Sequence, residues 1–253
     1  MKKIETCSVI LITKNEETNL SRVLGLLQDF QEIIVVDSDS TDLTQKIAER
    51  AGAKVFVHPF DNFAAQKNFA LEKAKQNWVF SLDADEIPSE ALIQSVREAV
   101  ENKSQDKAGF RVRRRNIHFG RELKWGGVEN DWPIRLFRKG SGRFEGAVHE
   151  ALTVEGHIGK LKGEILHESN RTIGEYLQKL AQYTQLEAEV AKKTRIKTTL
   201  WHWGMKPFFR FLYTYFFRLG FLDGFEGFLF HSLSSFYLVA KEVRLSEALE
   251  RVQ

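Results

Sequence analysis

WVFSLDADE, Trp78 to Glu86, is an apolar run that stops abruptly at two carboxylates, Asp83 and Asp85, separated by the small Ala84. The run Trp78-Val79-Phe80-Ser81-Leu82 is continuous, not alternating. A continuous run predicts a parallel strand covered on both faces. Ligands of open α/β sheets bind beyond the carboxyl ends of the strands, where Asp83 and Asp85 would stand. Two such carboxylates offer hard oxygen ligands to Mg²⁺ or Mn²⁺, ions that take the rest of their shell from water and substrate phosphates.

The segments around this stretch share its rhythm. Upstream lie two more apolar, β-branched runs, Ser8 to Thr13 and Glu32 to Val36, and a short one, Val55 to Val57. Helical spacing intervenes: Leu20, Val23, Leu24 and Leu27 share one face of a helix over 18–27. Thr41 or Asp42 can cap a second helix ending before Gly52. Helices are also expected over 63–74 and, started by Pro88, over 89–100. The alternation predicts an α/β fold, a mostly parallel sheet with helices on both faces. After Gln105 the pattern changes. Short strands are expected over 109–115, 134–138, 147–154 and 165–167, and Thr172-x-x-Glu175 reads as the capping box of a helix to about Lys193. Boundaries are placed at 105, between two halves of a main domain 1–195, and near 195, before a helical, aromatic-rich region 196–253.

Composition narrows the function. The 253 residues are 43% hydrophobic and 28% charged, and the net charge of +3 gives no whole-chain case for nucleic acid. The single Cys7 excludes an internal disulfide and fits a reducing compartment. The N-terminus runs straight into a strand, so no signal peptide is expected, and no segment reaches the roughly 18 uncharged apolar residues of a spanning helix. The expected location is the cytoplasm, peripherally on the inner face of the cytoplasmic membrane.

Four polar clusters end four expected strands: 13–17, 37–42, 58–66 and 83–86. A doubly wound sheet gathers them on one rim. Massed acids repel one another unless a positive charge sits among them, and a divalent cation carrying a nucleotide diphosphate meets that need. Gly-x-Gly-x-x-Gly and the phosphate-loop motif are both missing, which disfavours dinucleotide-binding and P-loop readings.

In order and spacing, SVILITKNEE (8–17), IIVVDSDSTDLT (33–44) and FSLDADE (80–86) resemble the inverting family 2 glycosyltransferases of the nucleotide-diphospho-sugar (GT-A) fold. DWPIRLFRKGSGRFEGAVHEAL (131–152), YLQKLAQYT and FLDGFEGFLFHSLSSFYL look like a narrower group, the lipopolysaccharide core β-1,4-glucosyltransferases. The resemblance implies a metal-dependent transfer of a hexose, glucose being the sugar expected, from its UDP carrier to an inner-core heptose of lipopolysaccharide or lipooligosaccharide. Thr13, Asn15 and Glu16 would line the nucleotide pocket, Asp37, Thr41 and Asp42 would hold uracil and ribose, and Gln66, Lys67 and Asn68 would lie beside the sugar-nucleotide. Asp83, Ala84 and Asp85 form the metal motif, with His167 or His149 as a further ligand. Arg135 and Arg138 would clamp the diphosphate. Inversion needs a general base; Asp131 is the first candidate, although Asn130 stands where the family usually has another acid, and Glu150 is the second. Two alternatives stay open: a polyprenyl-phosphate sugar transferase of the same fold, and a non-catalytic nucleotide-sugar-binding protein at the membrane surface.

Two features remain. Arg111, Arg113, Arg114, Arg115 and Arg121 read either as a charged edge strand or as contacts to an anionic acceptor. The Phe-rich tail, with Phe208, Phe209, Leu212, Tyr215, Phe216 and Leu219 at helical spacing, reads as an interfacial hairpin whose Lys and Arg snorkel towards anionic lipid.

Overall fold

The computed structural model describes residues 3–102, 106–146, 150–192 and 201–250. Both expected domain boundaries, and His149, fall outside these residues. The described chain divides into two compact units: 1–114 with 132–167, and 115–131 with 168–253.

In the first unit, β1 (Ile4–Thr13), β2 (Phe30–Asp37), β3 (Lys54–Val57) and β4 (Trp78–Asp83) alternate with α1 (Glu17–Leu26), α2 (Thr44–Arg50) and α3 (Phe63–Lys73). They pair in parallel in the order β3-β2-β1-β4. Next come β5 (Glu86–Pro88), α4 (Glu90–Glu101), β6 (Lys107–His118), β7 (Arg121–Glu122), β8 (Ile134–Arg138), β9 (Gly142–Glu145), β10 (Ala151–Val154) and β11 (His157–Asn170). The sheet continues β4-β8-β6-β11-β5, and the pairs β4–β8, β6–β8 and β5–β11 are antiparallel. The sheet is therefore mixed, parallel over its first four strands and antiparallel beyond. β6 lies inside it, so its arginines do not mark an edge. The strands β9 and β10 form a separate two-stranded ribbon.

Strand residues alternate between faces. Val9, Leu11, Val35, Phe80 and Leu82 face one core with Leu20, Val23 and Leu24 of α1 and Leu92 and Val96 of α4. Ile10, Ile34, Val36 and Val79 face the other, under Ala64 and Ala70 of α3. Small residues on α3 let that helix sit close to the sheet. The cap of α4 is Ser89, one residue past the expected Pro88: its hydroxyl accepts from Leu92 N at 3.3 Å and from Glu164 N at 3.1 Å. There Gly163, at φ +83°, passes α4 so closely that a Cβ would sit 2.4 Å from Leu92 N, which leaves glycine as the residue that fits.

The second unit is mainly helical: α5 (Ile173–Lys192), α6 (Lys206–Leu212), a π-helical turn over Tyr213–Phe217, and α7 (Gly224–Glu250). Thr172 Oγ1 accepts from Glu175 N at 3.1 Å, as a capping box requires, and the Glu175 carboxylate accepts from Arg171 N. Helix α5 packs along α7, where Tyr237 donates to Glu187 at 2.5 Å and Lys241 pairs with the same carboxylate.

Candidate functional site

Sheet register assembles the rim of the first unit. Thr13 pairs with Asp37 and Ile12 with Asp83, so three neighbouring strands end at one level. The loops after β1 and β2 are laced together. Asn15, at φ 54°, accepts from Thr41 N at 2.9 Å through its side chain and donates its N–H to Ser40 Oγ at 2.8 Å. Glu16 N donates to Thr44 Oγ1 at 2.8 Å, and Asp42 accepts from Thr44 N and from Glu17 N. Asp37 is fully buried and accepts from Thr13 Oγ1, from the N–H and hydroxyl of Ser40, and from Gln45. Burial pushes this carboxyl up, but the hydrogen bonds outweigh it and hold it below the usual range. Asp37 thus shapes the loop, and the more exposed Asn15 and Thr41 present its surface. Gln66 is buried too, bonded to His58 and to Ser38 Oγ.

The second cluster lies at the end of β4. Lys67, from the first turns of α3 and only 3% exposed, bridges Asp83 Oδ1 and Glu150 Oε1, each at 2.7 Å. It is no solvated lysine. Arg135 donates to Asp83 Oδ2 at 3.0 Å and to Glu86. Glu86 is fully buried, takes Arg114 at 3.0 Å and turns back to accept from Asp83 N at 3.1 Å. His167 Nε2 stands 3.4 Å from Asp85 Oδ2. Burial opposes ionisation of Asp83, but Lys67 and Arg135 prevail and hold its carboxyl well below the usual range. Burial likewise opposes the charge on Lys67, and Asp83 and Glu150 more than offset it.

Four carboxylates (Asp83, Asp85, Glu86, Glu150) thus face three fixed cations (Lys67, Arg114, Arg135), one negative charge in excess when His167 is neutral. Both oxygens of Asp83 are engaged by cations; beside it Asp85 brings a carboxylate oxygen, a donor type that suits Mg²⁺ or Mn²⁺, and His167 an imidazole nitrogen, which suits softer transition ions better. Among the described residues no group of three His, Cys, Asp or Glu forms a ready-made cage. Mg²⁺ is usually held by one or two carboxylates, with substrate phosphate and water completing its shell. The carboxylate of Asp85, with His167 beside it, suits such an ion.

Two expected residues of the first unit make other contacts. Antiparallel register places Arg138 beside Trp78, at the opposite end of β4 from Asp83. It donates to Lys107 O at 3.0 Å and lies over the Trp78 ring, so it clamps no diphosphate. Asn68 spans to Phe144, donating to its carbonyl and accepting from its N–H, which ties α3 to β9. Asp131 belongs to the second unit, where it accepts from Asn116 at 3.0 Å. The basic run divides: Arg114 joins the cluster, Arg115 pairs with Glu122 and Arg121 with Glu226. Glu86 and Arg114 were missed as site residues. Glu86 carries a signal in hindsight, because an acid three residues after Asp83 can reach back to its amide.

A family model described as glycosyl transferase family 2 matches residues 8–151. The lipopolysaccharide core biosynthesis glycosyltransferase LpsC of Rhizobium meliloti (strain 1021) is 32% identical over 229 residues, covering 86% of this chain and 81% of that protein. Among solved structures, S. aureus TarS 1–349 in complex with UDP-GlcNAc superposes with a TM-score of 0.52 at 16% identity, over 100% of this chain and 91% of that one. The mannosyltransferase PcManGT from Pyrobaculum calidifontis, with GDP-Man and Mn²⁺, gives 0.55 at 14% identity, over 97% and 89%.

Proposed function

The chain belongs to glycosyl transferase family 2, and from that premise we propose that it moves a hexose, glucose in our reading, from UDP to an inner-core heptose of lipopolysaccharide or lipooligosaccharide, using Mg²⁺ or Mn²⁺. The observation that carries the reading is the charged cluster around Lys67, Asp83, Asp85, Arg135 and His167 at the strand ends. The name of LpsC supports the acceptor class, and the ligands of TarS and PcManGT support a nucleotide-sugar donor and a divalent ion.

In this reading the loops carrying Thr13, Asn15, Glu16, Thr41 and Asp42 form the nucleotide pocket around the buried Asp37. Asp85 and His167 would hold the cation, which when bound would supply positive charge beside the departing diphosphate. Arg135 keeps a buried Nε–H without a partner among the described residues, a donor suited to a phosphate oxygen. Lys67 holds Asp83 and Glu150 in place. For inversion, the acceptor O–H gives its proton to a carboxylate as the new C1–O bond forms. The C1–O bond to phosphate breaks on the opposite face, and its electron pair leaves with UDP. Glu150 is ion-paired to Lys67, whereas a bonding partner of Asp131 is a neutral amide. Of the two candidates we retain Asp131 as base and Glu150 as the second.

The second unit supports action at the cytoplasmic membrane surface. No helix of the described residues is long and apolar enough to cross a membrane. Yet Phe208, Phe209, Phe216, Phe217, Phe221 and Phe225 are exposed, Phe217 at 79%. Exposed apolar area on this scale marks an interaction surface. Aromatic rings beside Lys206 and Arg210 suit an anionic interface.

The test is transfer from UDP-glucose to a delipidated inner-core oligosaccharide with Mn²⁺ or with a chelator, product mass being the readout. A mass gain of one hexose that depends on metal is expected. Failure of both transfer and donor hydrolysis under every metal condition would sink the reading.

A further inference from the structure

A loop of the second unit is pinned along its length while a large side chain is left outside. Leu123 N donates to Asn116 O at 3.2 Å. The amides of Lys124 and Trp125 both donate to the buried Asp223 carboxylate, at 3.0 and 2.9 Å. Gly126 N donates to Arg218 O at 2.8 Å. Gly127 N donates to Glu129, whose other oxygen accepts from Arg218 at 2.6 Å. Gly126 lies at φ +83° against the buried His231 ring, and a Cβ there would come within 2.1 Å of it. The loop's backbone is therefore set by the helices after residue 217. Trp125 stays 40% exposed, and its indole N–H has no partner among the described residues.

We infer that Trp125 is the stacking platform for a pyranose ring of the acceptor glycan, and that Asp223 is the positioning residue that holds it. The inference rests on the glycosyl-transfer reading for its choice of ligand. A pyranose presents a face of polarised C–H bonds, which complements the negative face of an indole ring. The free N–H can donate to a ring hydroxyl. A rigid aromatic binds with little entropy left to lose, because folding has already ordered its backbone. The loop also leads to Asp131, so a sugar stacked on Trp125 would be held a few residues from the proposed base.

The full chain is tested as Trp125→Ala, Trp125→Phe and Asp223→Asn, with UDP-glucose, Mn²⁺ and the delipidated inner-core oligosaccharide as probe. Trp125→Ala should raise the acceptor KM about tenfold, equivalent to about 1.4 kcal/mol, while the KM for UDP-glucose holds. Trp125→Phe should recover most of that loss, and Asp223→Asn should raise the acceptor KM without removing a sugar contact. Saturation-transfer NMR of the oligosaccharide reads binding without turnover. Saturation transfer that Trp125→Ala abolishes, in a wild type that shows no turnover, keeps this inference and removes the catalytic one. An unchanged acceptor KM in Trp125→Ala, a Phe variant no better than Ala, or a Trp125→Ala defect confined to binding phosphatidylglycerol vesicles overturns it.

Discussion

Lys67→Met is the most informative single change. Methionine keeps the length and apolar stem of the lysine, so little cavity forms, but the ammonium that bridges Asp83 and Glu150 at 2.7 Å is gone. Lys67 is 3% exposed and Asp83 27%, so neither charge is well screened. Removing one partner of a buried pair costs about 3–5 kcal/mol. Asp83 keeps Arg135 at 3.0 Å, which argues for the lower end. A loss of about 3 kcal/mol lowers the melting temperature by about 6–12 °C for a chain of this size. The sign of the pH dependence follows from Asp83. Its folded pKa is depressed, so in the wild type its stabilisation is present above the ordinary carboxylate pKa of about 4 and is lost as pH falls below it. In the variant the depression is reduced, with Arg135 left to sustain the remainder. The gap between the two melting temperatures should therefore be full from pH 7 down to about pH 4 and shrink between there and about pH 2. Thermal melts by circular dichroism across that range are the assay. A variant melting within about 1 °C of wild type at pH 7, where a 3 kcal/mol loss predicts several degrees, would refute the reasoning. So would a gap that grows on acidification.

Asp85→Asn and His167→Ala should each weaken Mn²⁺ binding at least about tenfold, the least expected for a lost contact at a metal site. Calorimetry on the protein alone reads this, and unchanged binding in both removes them as holders. Asp131→Asn should abolish transfer while sparing UDP-glucose binding by calorimetry. If Glu150→Gln does that and Asp131→Asn does not, the base is Glu150. Phe217→Ser with Phe225→Ser, at 79% and 70% exposure, should reduce co-sedimentation with phosphatidylglycerol vesicles without lowering the melting temperature. Equal sedimentation of variant and wild type counts against membrane docking.

Much of the first unit was legible in its residues. Continuous apolar runs ending in acids announced parallel strands, because a strand covered on both faces has no polar side to show. Strand register did the rest for Thr13, Asp37 and Asp83. The antiparallel half was harder to read. Strand β9 and most of β11 were missed because they are short of apolar residues or interrupted by charge, and their pairing partners are distant in sequence. Arg138 was misplaced for the same reason, since only the register of β8 on β4 shows which end of the strand an arginine reaches.

By itself the sequence determined the strand–helix order from β1 to β4, the identity of the acids that end those strands and the apolar character of the tail, since these depend on local pattern. Tertiary structure alone decided which charges meet. Lys67 and Glu150 are 83 residues apart and Arg135 and Glu86 are 49, and chain proximity says nothing about such pairs. Their partners are chosen by strand register and by the cost of burying a charge without an opposite one beside it.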